Sequence, residues 1–133
     1  AVGIGRRVGR AAADQAWLEL GAHVFRLPGI YGPGRSALER VRSGRARLID
    51  LPGQVFSRVH VDDIVSGVLA SFAAPAGAWN LADDLPCSQN AVIAEACRLL
   101  RLPLPPLQGL EEAGLSPQAL AWGASAQDSA CAL

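Results

Sequence analysis

The sequence predicts an α/β domain, and three observations carry that expectation. Strand-like segments alternate with helical ones along the chain, the order that layered α/β folds produce. The first strand runs directly into a loop rich in glycine and proline. Serine or aspartate stands where each later helix should begin, as helix starts require.

The segment RAAADQAWLEL, 10–20, holds good helix formers and sets Ala13, Trp17 and Leu20 on one face. Gly21 then suits the left-handed position that ends a helix. HVFRL, 23–27, reads as a short strand, stopped by Pro28, which has no N–H for a ladder. PGIYGPG, 28–34, reads as a loop. Ser36 and Glu39 have capping-box spacing, so a helix over 37–43 should follow and stop at Gly44. ARLIDL, 46–51, is a strand candidate, and Pro52-Gly53 a turn. QVFSRVHV, 54–61, alternates as a strand, with Val55, Ser57, Val59 and Val61 on one face.

Asp62 and Asp63 open a helix to about Ala73 and complement its dipole. Its apolar stripe is Ile64, Val65, Val68, Leu69 and Phe72. AWNLA, 78–82, is expected to be a buried strand. Ser88 caps a helix to Leu100, with Val92, Ile93, Ala96, Leu99 and Leu100 facing inward. RLPLPPLQG, 101–109, reads as a proline-rich connection. After Ala121 the pattern fails, so residues 122–133 read as an irregular tail, which we expect to be out of frame, with residues 1–9 under the same suspicion.

Half of the residues are apolar, 18% are charged and the formal net charge is zero. That is a globular composition, and it gives no reason to expect a nucleic-acid or anionic-membrane partner. No apolar run reaches membrane-spanning length. Cys87, Cys97 and Cys131 lack metal-site spacing and suggest reduced thiols, so a cytoplasmic location is expected. All twelve basic residues are arginine, so chemistry that needs a lysine ammonium is excluded within these residues.

Gly3, Gly5 and Gly9 invite comparison with a dinucleotide loop. Only Ala1-Val2 precede them, the spacing is GxGxxxG, and no acidic residue follows a second strand; a working cofactor loop is not expected there. A second constellation is stronger. RLPGIYGPG, 26–34, then SRVHVDDIVSGVLAS, 57–71, then AWNLADDLPCSQNAVIAEACRLL, 78–100, follow one another in a fixed order. Together they resemble the C-terminal half of extended short-chain dehydrogenase/reductases of the NAD-dependent epimerase/dehydratase-like kind, sugar-nucleotide epimerase homologues among them, over about residues 10–121, within a partial domain expected over 1–121.

The resemblance implies the C-terminal part of a Rossmann-type doubly wound sheet plus a small substrate lobe, with the N-terminal strands and cofactor loop missing. It implies NAD or NADP in the complete parent protein. Pro28, Gly29 and Ile30 would lie beside the nicotinamide. Tyr31 and Gly32 would begin the substrate lobe, and Arg35 and Arg58 are candidates for an anionic group of a small-molecule substrate. The family's phosphate-binding arginine falls at Phe56 here, which puts a sugar-nucleotide substrate in question. His60 reads as a structural residue bonded near Asp62 or Asp63, and those two as helix-opening residues and not an acid–base pair. The family's catalytic tyrosine is assisted by a nearby lysine; this chain has one tyrosine, Tyr31, outside the helix concerned, and no lysine.

The expectation is therefore a fragment, inactive alone and missing an N-terminal half. Its strands would then be left with open edges, which favours poor stability or self-association. Two alternatives remain at this level: half of a split two-chain enzyme, and a small non-catalytic α/β binding module.

Overall fold

The computed structural model describes residues 2–109 and 113–114 of the chain. The tail expected over 122–133, and Cys131 with it, lies outside the described residues. The fold is mixed α/β, built from short, largely parallel strand pairs. It divides into two compact units: the first takes the chain up to Ile30 and Arg58–Asp84, the second Tyr31–Ser57 and the chain from Leu85.

The first unit begins with α1 (Val2–Glu19). The helix starts earlier than its amphipathic segment suggested, and Gly3, Gly5 and Gly9 lie within it, so no glycine loop exists there. Its end is a Schellman motif around Gly21, whose φ is 75°. The Gly21 N–H donates to Leu18 O and the Ala22 N–H to Trp17 O, satisfying carbonyls the helix leaves open. β1 (His23–Arg26) follows and pairs in parallel with β5 (Gly77–Asn80), from His23 opposite Gly77 to Arg26 opposite Asn80. Parallel strands need a crossover, and α3 (Val61–Ser71) lies between these two in the chain. His23 Nε2 lies 3.1 Å from the Ala74 carbonyl, tying the start of β1 to the segment after α3.

The apolar stripes of this unit are only partly covered, and its second strand is not buried as expected. Trp17 and Leu20 are exposed, and Ala13 with them. On α3, Val65, Leu69 and Phe72 are exposed, while Ile64, Val68 and Gly67 take the covered side. β5, expected to be buried, is largely exposed, with Trp79 at 37%. The common cause is the narrow sheet: among the described residues, the two strands β1 and β5 offer too little face for two helices to cover their apolar stripes. Gly67 shows where α3 does pack closely. A Cβ there would stand 2.8 Å from Leu81 Cδ1, so only glycine lets the helix come this near without displacing that leucine.

The second unit holds the better core. α2 (Ala37–Arg42) begins with the complete capping box. Ser36 Oγ accepts from the Glu39 N–H at 3.3 Å, and Glu39 Oε2 accepts from the Ser36 N–H at 2.9 Å. Gly44, at φ 69°, follows the helix end. β3 (Leu48–Ile49) pairs in parallel with β6 (Leu107–Gln108), so the proline-rich connection contains a short strand that composition did not suggest. α4 (Gln89–Leu100) is capped by Ser88 Oγ, which accepts from the Ala91 N–H. Its buried face is Ile93, Ala96 and Cys97, packed with Val41 and Ala46; Leu99, expected inside, is 58% exposed. Arg101 ends the helix with φ 53° and ψ 39°, a left-handed position where glycine is the usual occupant.

On the surface of α4, Arg98 donates to both oxygens of Glu95, at 2.8 and 2.6 Å. These hydrogen bonds hold the Glu95 carboxyl below the ordinary carboxylate range and Arg98 above its own. A depressed carboxyl favours the folded state above its unfolded pKa, and that contribution fades as pH falls through the folded value. Both groups are fully exposed, so the effect on stability is small. Replacing Arg98→Ala should move the Glu95 titration midpoint upward in an NMR pH titration; an unmoved midpoint would mean the pair is not populated in solution.

Candidate functional site

The residues singled out in the sequence fall in two places. In the first unit, β1 ends at Arg26 and its C-terminal end opens into Leu27-Pro28. The segment expected as loop is partly ordered differently: Gly29–Tyr31 forms a strand, β2, paired with β4 (Arg58–His60). Pro28 is half-buried, while Gly29 and Ile30 are exposed. Thus Gly29, Ile30 and Arg58 sit on paired strands just past the carboxyl end of a parallel strand. In open α/β sheets that end is where ligands bind. The Arg58 carbonyl accepts from the Asp83 N–H at 2.7 Å, and the Arg26 carbonyl from the Leu81 N–H at 3.2 Å, so both strands are fixed by the segment following β5.

His60 behaves as the sequence suggested. It is the N-cap of α3, and its Nδ1 accepts from the Asp62 N–H at 3.2 Å. The Asp62 carboxylate stands 3.6 Å from that same nitrogen and is 83% exposed. Asp62 and Asp63 occupy the first turn, where carboxylates suit the dipole.

In the second unit, Gly32 is buried and exchanges backbone hydrogen bonds with Arg35, at 3.2 and 3.0 Å. Tyr31 is half-buried beside it. This bridge closes the tight turn through Pro33 and Gly34, the latter at φ 78°. Glu39 then ties the turn to α2. Its Oε1 accepts from the Gly34 N–H at 2.9 Å while its Oε2 serves Ser36.

Beside that turn is an open recess of about 370 Å³, lined by Gly34, Arg35, Ser36, Glu39, Arg40 and Arg45. Sequence reasoning found Arg35 but not Arg40 or Arg45. The available signal was charge: Tyr31–Ser57 carries five arginines against Glu39 and Asp50, in a chain of zero net charge. Among the described residues no group of three or more His, Cys, Asp or Glu is placed to hold a metal ion. No described helix is long and apolar enough to cross a membrane.

Removing the Glu39 carboxylate should loosen the turn and the helix together. Glu39→Ala is expected to cost about 1 kcal/mol, the usual size of a cap contribution. Urea denaturation would measure it, and an unchanged midpoint would show that the capping box contributes nothing.

Short parallel strands, a crossover helix and a glycine-rich segment at a strand's carboxyl end define a Rossmann-like α/β arrangement. Solved structures with the same fold agree. The chain is similar to a conserved protein of unknown function from Silicibacter pomeroyi DSS, at 47% identity and TM-score 0.67, over 78% of this chain and 37% of that one. It is also similar in fold to the dTDP-glucose 4,6-dehydratase of Bacillus anthracis str. Ames, solved in complex with NAD, at 16% identity and TM-score 0.52, over 65% of this chain and 31% of the enzyme. A third likeness is to the ADP-L-glycero-D-manno-heptose-6-epimerase of Helicobacter pylori, at 18% identity and TM-score 0.55, over 84% of this chain and 42% of the epimerase. The chain therefore spans roughly a third to two-fifths of the length of each. No protein-family model and no curated protein matches it.

Proposed function

We propose that this chain is the C-terminal part of an NAD(P)-dependent oxidoreductase of the epimerase/dehydratase type, acting by hydride transfer on a small polar substrate and inactive by itself. The observation that carries the reading is the carboxyl end of β1, where a parallel strand feeds directly into Pro28, Gly29 and Ile30. Support comes also from the fold likeness to a dehydratase solved with NAD and to an epimerase, both named for nucleotide-sugar substrates. Nucleotide sugars are accordingly one substrate class for the complete protein.

The residues present fit one end of the cofactor and not the other. Pro28, Gly29 and Ile30 would flank the nicotinamide, which accepts and returns a hydride when bound. In Rossmann-type folds the pyrophosphate of the dinucleotide sits against backbone N–H groups of a glycine loop at a helix start. Gly3, Gly5 and Gly9 are inside α1, so they do not build one. Tyr31, Gly32, Arg35 and Arg58 would serve the substrate. Two further features favour additional strands beside the first unit: β1 has no second partner among the described residues, and Trp17, Leu20, Val65, Leu69 and Phe72 are exposed.

The test is a fluorescence titration with NADH and NADPH, using this chain alone and this chain joined to whatever coding sequence precedes it. Saturable binding is expected of the longer protein only. Tight binding by the 133-residue chain alone would contradict the proposal.

A further inference from the structure

Glu39 carries the one carboxylate lining the arginine recess, and both of its oxygens are already engaged by backbone N–H groups of the turn it anchors. It forms no ion pair with a guanidinium among the described residues. Arg35 and Arg40 make no side-chain hydrogen bond or ion pair among the described residues, and Arg45 uses only its Nε, on Ser43 Oγ at 2.9 Å. Two arginines elsewhere have carboxylate partners: Arg26 with Asp14 and Arg98 with Glu95.

The backbone beneath these side chains is firmly held. Arg35 is fixed by its exchange with Gly32. The Arg40 carbonyl accepts from the Arg45 N–H at 2.9 Å, from the Ala46 N–H at 3.0 Å and from Ser43 Oγ at 3.2 Å. Ala46 and Val41, next to these arginines in sequence, are anchored in the core. So three guanidiniums are mounted on rigid backbone around one open volume, with a surplus of two positive charges after Glu39 is counted. Arginine's planar fork matches phosphoryl oxygens. A diphosphate diester, with one negative charge on each of two adjacent phosphoryl groups, matches both the surplus and the room.

We propose that the recess lined by Arg35, Arg40 and Arg45 is a binding site for phosphoryl oxyanions, of the size and charge of a diphosphate. It belongs wholly to the second unit, it shares Arg35 with the substrate residues proposed above, and anion binding by this chain tests it separately from NAD(P)H binding.

The experiment titrates the 133-residue chain with inorganic pyrophosphate at low salt, by calorimetry and by amide NMR shifts. Saturable binding is expected, with shifts centred on Gly34–Ser36 and Arg45, and weakening as salt is added. The double variant R40A/R45A should weaken binding by roughly tenfold or more, since it removes two charge-assisted contacts. R10A/R42A removes the same charge from exposed arginines outside the recess and should leave affinity nearly unchanged. Unaltered circular dichroism of both variants would confirm that neither has unfolded. A second titration, with ADP, separates the sources: ADP binding more tightly than pyrophosphate indicates a diphosphate ester, and equal affinity a free anion, either result sustaining the site. The proposal is overturned if pyrophosphate does not saturate, or if the two double variants weaken binding equally. Affinity confined to single-stranded oligonucleotides and growing with their length would overturn it as well.

Discussion

Ile93→Ala should destabilise the protein by about 2–5 kcal/mol, the range for deleting a large aliphatic side chain from a packed interior. Ile93 is fully buried, at 0% exposure, and packs with Val41, Ala46, Ala96 and Cys97. All five come from the second unit, where α2 and α4 face one another. Three of those neighbours are small or rigidly placed, so the space left by the deleted carbons has little to collapse into it. A total stability of 5–15 kcal/mol is typical for a domain, so a loss of this size takes a large share of it. The effect should appear in urea denaturation as a lower midpoint. Ile93→Val, which removes a single methylene, should cost only about 0.5–1.5 kcal/mol. Equal costs for the two variants would mean that the interior is loosely packed.

The second large effect is expected from Asn90→Ala. The Asn90 side chain acts as a substitute strand partner for Ile49: its Oδ1 accepts from the Ile49 N–H at 3.0 Å, and its Nδ2 donates to the Ile49 carbonyl at 2.7 Å. The site is partly buried, and β3 is only two residues long, so Ile49 has few other ways to satisfy its backbone. Removing the amide leaves a donor and an acceptor unpaired, at about 1–3 kcal/mol for each group that water cannot reach. Asn90→Asp preserves the acceptor and loses the donor, and should fall between wild type and alanine. Hydrogen exchange at the Ile49 amide reports the same event locally. Protection there should drop sharply in Asn90→Ala, and unchanged protection would show that the amide clamp is not what holds β3.

The sequence made some elements legible for definite physical reasons. α2 could be bounded at both ends because Ser36, Glu39 and Gly44 each have a single job that few other residues perform. β1 could be bounded because Pro28 stops a ladder. The hydrogen bond of His60 near Asp62 was legible, since the next helix start offers its ring nitrogen an N–H to accept. The misreadings share a different cause. Periodicity identified the apolar stripes of α1 and α3, but a stripe says nothing of whether a partner exists to cover it, and Trp17, Leu69 and Phe72 remain exposed. β2 and β6 were hidden because glycine and proline dominate their surroundings, although one short stretch of extended backbone is enough to pair. The arginine recess was invisible in part because its members come from a turn, a helix and the segment after that helix.

The proposal that residues 1–121 are the C-terminal part of a larger NAD(P)-dependent enzyme is tested most directly by the DNA sequence flanking this frame. The account predicts an upstream stretch encoding a short apolar strand followed at once by a GxxGxxG-type loop and the start of a helix, the cradle that this chain's own glycines do not build. Flanks with no such stretch would contradict it, and the chain would then have to be understood as a binding module in its own right.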